Sequence, residues 1–204
     1  MSKEREKALE QNFNKLVEIW YKNKKSFREM TMDDVVLLKR ALSSVNNIAT
    51  LKATVLLVER LAGLFPMINK KKEEILRAIN VKSANSNGFD IEWTDGINVV
   101  AEVKCNIPIG SKNAFGSQQK SGISKDLGKL RYGNKKTGKL QEGALKAYHK
   151  FLGIYVHDEQ SEEAVRNFCN TISEEYGKVE ILDKDVKKKT FDEHTIYVVM
   201  LGND

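Results

Sequence analysis

The chain has 204 residues, 41% hydrophobic and 30% charged, with a formal net charge of +6. That is enough apolar material for one globular domain with a sizeable core, and it excludes a disordered chain. Without a run of about 18 apolar residues, and without a signal-peptide pattern in "MSKEREKALEQNF", the expected location is the cytoplasm.

The first 80 residues read as helices. Leu9, Phe13, Leu16, Val17 and Trp20 recur at helical spacing, and Thr31 with Asp34 three positions on resembles a capping start for a second helix holding Val35, Leu38 and Leu42. A third, "IATLKATVLLVERLAGLF", is apolar on most sides and is expected at the centre of the fold. Pro66 ends it, and "NKKKEEILRAI" gives a shorter amphipathic fourth.

At Asn87 the period changes. "FDIEW" and "NVVAEVKCNI" are strand-like, with "TDG" as turn chemistry between them, which predicts a hairpin. A Gly- and Lys-rich tract, "GSKNAFGSQQKSG", follows, then a helix at "ISKDLGKLRYG" and a loop at "NKKTGKLQEG". "FLGIYVHD" is a strand, "SEEAVRNFCNTISEEYG" a helix beginning at Ser161, "KVEILD" a short strand and "HTIYVVMLG" a buried one. The expected fold class is α/β: a mixed sheet flanked by helices, with residues 1–80 as a helical N-terminal region and 81–204 as the αβ core of a single domain.

Charge is unevenly spread. Lys104 to Lys150 holds 11 Lys/Arg against 2 Asp/Glu, whereas the preceding segment has 17 against 14 and the following one 6 against 12. A local excess of +9 is the footprint expected of a phosphate-binding surface, because cations gain most where they displace condensed counterions, or else of a solvated lysine-rich face. Lys120, Lys125, Lys129 and Arg131 are the expected phosphate contacts. Gln118 and Gln119 either read adenine edges or cap the following helix. Cys105 and Cys169 form no CxxC pair, which excludes a disulfide framework and a zinc site and suits a reducing compartment; both are expected as core thiols. His149, His157 and His194 sit in no metal-binding spacing, with His149 expected on a helix surface or facing DNA, "GSKNAFG" lacks the ending of a Walker loop, and Lys187 to Lys189 read as a solvated turn.

The hairpin carries the chemistry. Alternation puts Asp90 and Glu92 on one face of the first strand and Glu102 and Lys104 on one face of the second. A two-residue loop at Asp95 and Gly96 would set the two charged faces apart, and a three-residue loop, Thr94 to Gly96, would make them coincide; the sequence permits both. If they coincide, Asp90 and Glu102 offer hard oxygen ligands for Mg²⁺ and Lys104 stands beside a metal-bound water, the arrangement phosphodiester hydrolysis requires.

Asp90, eleven intervening residues, then Glu102-Val103-Lys104 at the end of an apolar strand resembles the PD-(D/E)xK nuclease superfamily, over roughly Ala62 to Val156 and its αβββαβ core. Phe89 stands where that motif has Pro. The resemblance implies a restriction-endonuclease-like fold, metal binding by Asp90 and Glu102, a catalytic Lys104, and a further acid from the preceding helix, for which Glu59 is the candidate. The expected function is a Mg²⁺-dependent endonuclease on double-stranded DNA, most plausibly of restriction or host-defence type, acting as a homodimer. The alternatives are a non-catalytic nucleic-acid-binding module and a structure-selective resolvase or repair nuclease.

Overall fold

The computed structural model describes residues 3–18, 29–81, 88–108, 114–134, 140, 142–172, 176–182 and 191–202. Trp20, Asn87, residues 110–113, most of the loop after Asn134, and Lys187 to Lys189 lie outside the described residues. The chain divides into two compact units, Met1–Lys52 and Ala53–Asp204, with the boundary inside a helix rather than near residue 80. The second unit is a mixed α/β structure.

In the first unit, α1 (Lys3–Val17) and the start of α2 (Met32–Leu64) carry the expected helical patterns. Thr31 and Asp34 close the start of α2 reciprocally: Thr31 N–H and Oγ1–H both donate to Asp34 Oδ2 at 2.9 Å, and Asp34 N–H donates back to Thr31 Oγ1 at 3.3 Å. The two helices expected between Thr31 and Phe65 form one. The intervening "SSVNN" holds neither Gly nor Pro, so nothing in it breaks the hydrogen-bond ladder. By length and composition α2 could cross a membrane, with mean hydropathy 1.3 in its most apolar window. Its C-terminal part, however, buries Leu57, Val58 and Leu61 almost completely. Phe13, Val17, Leu42 and Val45 are substantially exposed, so the apolar stripes of the first unit are only partly covered.

In the second unit α3 (Pro66–Val81) starts on the proline and buries Ile68, Ile75 and Ile79 at helical spacing. Among the described residues the sheet has five strands: β1 (Ile91–Trp93), β2 (Val99–Lys104), β3 (His149–Tyr155), β4 (Val179–Leu182) and β5 (Ile196–Leu201), in the order β1-β2-β3-β5-β4. β1 runs antiparallel to β2 and the others are parallel, as crossovers through α4 (Ser117–Tyr132) and α6 (Glu159–Thr171) require. A short helix, α5 (Glu142–Leu145), precedes β3.

Alternation along the buried strands splits the core in two. Val100, Leu152, Ile154, Ile196, Val198 and Met200 pack with Ile123, Leu127 and Leu130 of α4 and Ala164, Val165 and Phe168 of α6. On the other face Phe151 and Tyr197 join Phe65 and Phe191 in an aromatic cluster, with ring centroids 4.7 to 6.0 Å apart.

Three boundaries differ from expectation. α4 begins at Ser117, inside the supposed Gly-rich loop, because the Gln119 side chain accepts from Gly116 N–H and closes the helix start. α6 begins at Glu159, because Asp158 is the N-cap and accepts from Ser161 N–H at 2.8 Å. His149 opens β3 instead of lying on a helix; it stacks 5.5 Å from Phe65, and burial pulls its imidazole below the usual range.

The hairpin register is fixed by its loop. Trp93 pairs with Val99, leaving five residues, Thr94 to Asn98, between the strands, an odd number like the three-residue alternative. Gly96 takes φ +82°, and the loop is tied down by Trp93 Nε1–H donating to Asp95 O at 3.0 Å and by Lys71 3.2 Å from Asp95. Gly96→Ala is expected to lose about 1–2 kcal/mol in urea unfolding, because a side chain disfavours this backbone, and Gly96→Asn less. Unchanged stability in Gly96→Ala would mean the loop readily changes shape.

Candidate active site

The register decides which side chains meet. Ile91 faces Ala101, so one residue outward Asp90 comes opposite Glu102. Asp90 is held there by accepting the Val103 N–H on Oδ2 at 2.8 Å, while Phe89, 1% exposed, anchors the chain just before it. Lys104 follows on the same face as Glu102. The odd-numbered neighbours Ala101 and Val103 bury on the opposite face, and this forces Glu102, at 6% exposure, into the layer beneath α4.

α4 lies over that face because Ile123, Leu127 and Leu130 form one apolar stripe. Asp126 and Lys129, three residues apart, occupy the adjoining stripe and reach the end of β2. Two crossed ion pairs result. Lys104 Nζ stands 2.9 Å from Asp126 Oδ2, and Lys129 Nζ pairs with Glu102 Oε1. Lys129 also donates to Gly88 O at 2.8 Å and lies 4.8 Å from the centroid of the Phe89 ring, a position an aromatic face favours for a cation.

Three carboxylates thus share this end of the sheet with two ammonium groups. Burial, and then the charges of Asp90 and Asp126, push the Glu102 carboxyl up to about 8 against the pull of Lys129. Asp126 is also raised, by burial first and by Asp90, with Lys104 and Lys129 opposing. Desolvation together with like charge outweighs the ion pair at Glu102. Among the described residues no three His, Cys, Asp or Glu side chains form a ready cage for a metal. Asp90 and Glu102 nevertheless supply two neighbouring hard-oxygen donors, and the crowding of negative charge around Glu102 is what a divalent cation relieves.

The expected Asp90, Glu102 and Lys104 are brought together. Glu59 is not: it is half-exposed and pairs with Lys72 of α3 at 3.4 Å, because the α2–α3 turn puts those two side chains side by side. Lys129, expected on the phosphate-binding surface, turns inward to Glu102 instead. Arg131 donates to His194 O at 3.1 Å, and Gln119 caps α4 and donates to Ile107 O at 2.6 Å, which favours the capping alternative for that glutamine. Lys120, Lys125 and Gln118 are exposed on α4. Cys105 and Cys169 are half-buried rather than core thiols, and burial pushes the Cys169 thiol up to about 11. Sequence reasoning missed Asp126. Its signal was there: it is the only acid of the basic helix, three residues before Lys129 and directly before a buried leucine.

Because Glu102 keeps its proton in the folded chain to about pH 8 but loses it near 4.5 when unfolded, the folded state binds more protons between those values. Stability in metal-free buffer should therefore fall as pH rises through that window, and Glu102→Gln should flatten the fall. Parallel melting curves for wild type and Glu102→Gln across the window would contradict this placement of Glu102.

No family model, no curated protein and no solved structure matches the chain.

Proposed function

We propose that the chain is a Mg²⁺-dependent endonuclease acting on DNA, of restriction or host-defence type, on a restriction-endonuclease-like fold. The observation that carries this is the pairing of Asp90 with Glu102 across the hairpin, with Lys104 on the same face and the Glu102 carboxyl raised by burial and like charge. Perturbed acids gathered in one place beside a basic segment are what such chemistry requires. The hairpin, helix and parallel strand follow the order of the αβββαβ pattern, though the described residues show two strands before α4 where that pattern has three.

Asp90 and Glu102 would hold the Mg²⁺, which when bound lowers the pKa of a water and offsets charge on the scissile phosphate. Val103 N–H keeps Asp90 oriented toward Glu102. Asp126 would aim Lys104, so that its ammonium stabilises negative charge developing at the attacking oxygen. Lys129 balances the Glu102 charge in a layer with little water. Exposed Lys120 and Lys125 attract the phosphate backbone without reading sequence. Two-fold symmetry is the simplest way to cut both strands with one site per chain, and a second copy would cover Phe13, Val17, Leu42 and Val45. A cytoplasmic location accords with two cysteines that form no CxxC pair.

One observation favours a second reading, a nucleic-acid-binding module without turnover: both lysines at the site are already committed to carboxylates. Plasmid cleavage with and without Mg²⁺ separates the two. The nuclease reading predicts Mg²⁺-dependent cleavage, abolished in Asp90→Asn and Glu102→Gln, and slowed by roughly 10²- to 10⁴-fold in Lys104→Ala under single turnover. Discrete fragments from long unmodified DNA would identify sequence-specific cutting. Metal-independent cleavage, or a folded Lys104→Ala at wild-type rate, would overturn the assignment of roles. Tight DNA binding with no cleavage would favour the module.

A further inference from the structure

Behind the carboxylate set, a cleft lies between the C-terminal end of α4, α5 and the first residue pairs of β3 and β5. It is lined by Arg131, Glu142, Leu145, Lys146, Lys150 and His194 and has about 40 Å³ of room, enough for about three waters or one tetrahedral oxyanion. We propose that this cleft is an oxyanion site that takes a single phosphate group.

Lys150 is the central observation. At 2% exposure it is among the most buried charged side chains described, and a lysine so placed ordinarily has a carboxylate partner. Here its two hydrogen-bond acceptors are backbone carbonyls, Tyr148 O at 2.8 Å and Glu193 O. An ammonium has three donors, so one remains for the cleft. Burial, then the nearby Arg131 guanidinium, pulls Lys150 down to about 8, against Glu193 and Asp192, and a bound anion would favour its charged form.

The other lining groups fit the same ligand. Arg131 spends Nη1 on His194 O at 3.1 Å, and its fork lies against Gly177, where a Cβ would come within 3.0 Å of Cζ. Arginine's planar fork matches a phosphate's oxygens. Lys146 is exposed on the rim and His194 adds an imidazole. Among the described lining residues, Arg131, Lys146 and Lys150 face one carboxylate, Glu142. Among nearby acids, Asp192 already has both oxygens engaged, by His194 N–H at 2.9 Å and Thr195 Oγ1–H at 2.8 Å. The register places Lys150 opposite Val100 and Leu152 opposite Glu102, so the cleft is separate from the carboxylate set, and phosphate binding there does not depend on nuclease activity.

The test is calorimetric titration of the full chain with inorganic phosphate in EDTA. Saturable one-to-one binding, competed by sulfate, is expected, and Lys150→Met should raise Kd at least about tenfold. Because Lys150→Met can fail to fold, the rim supplies two exposed variants of opposite sign: Lys146→Ala should weaken binding and Glu142→Gln should tighten it. No saturable binding by wild type, or wild-type affinity in both rim variants, would overturn the proposal. The source of the phosphate is read by competition with a thymidine oligonucleotide bearing a 5′-phosphate or a 5′-hydroxyl. Displacement by the first alone assigns a strand end, by both equally an internal phosphate, and by neither, with phosphate still bound, a small phosphate compound.

Discussion

Glu102 is a charged residue placed where alternation along β2 demands a core residue, and its neighbours exist to make that tolerable. At 6% exposure, burial and the neighbouring carboxylates hold its carboxyl up at about 8 even with a partner. Here Lys129 descends from α4 to meet it, and can do so because Ile123, Leu127 and Leu130 fix the helix on the sheet. The dependence runs both ways. Lys129 in turn needs Glu102, Gly88 O and the Phe89 ring to be held at 21% side-chain exposure. Breaking a buried pair of this kind from one side costs about 3–5 kcal/mol, whereas a surface pair is worth less than about 1 kcal/mol, so the site and the α4–sheet contact stand or fall together.

The second pair, Lys104 with Asp126, has a different character, since Lys104 is more exposed than Glu102 and lies toward the open end of β2. Among the described residues, the pairs leave the set with one more carboxylate than ammonium. A purely structural cluster gains nothing from that surplus, because each added like charge raises the cost of ionising Glu102. A cluster that accepts a divalent cation uses it directly. This asymmetry, rather than the presence of acids in a hairpin, is what favours chemistry over architecture.

Much of the fold was legible because its signals are local. Pro66 starts α3, Thr31 and Asp34 close the start of α2, and the order of strands and helices after Phe89, apart from the short α5 in a stretch expected as loop, follows from hydrophobic period alone. The parity of the hairpin was not legible, since a loop of two, three or five residues leaves the same strand pattern; only the pairing of Trp93 with Val99 settles it. Nor did the spacing alone say which polar stripe of α4 would lie against the strand: Asp126 and Lys129 reach the end of β2, and Lys120 and Lys125 face solvent. The place of Glu59 was not legible either: helical position does not say which face of α2 turns to the sheet, and this acid pairs with Lys72 of α3.

The central claim is that Asp90 and Glu102 form a divalent-cation site. Anomalous scattering from crystals grown with Mn²⁺, a stand-in for Mg²⁺ with the same preference for oxygen ligands, tests it most directly. The account predicts a single strong peak within ligand distance of both carboxylates, with Lys129 moved off Glu102. Well-ordered crystals with no peak there, and with the Lys129–Glu102 pair intact at saturating Mn²⁺, would contradict it.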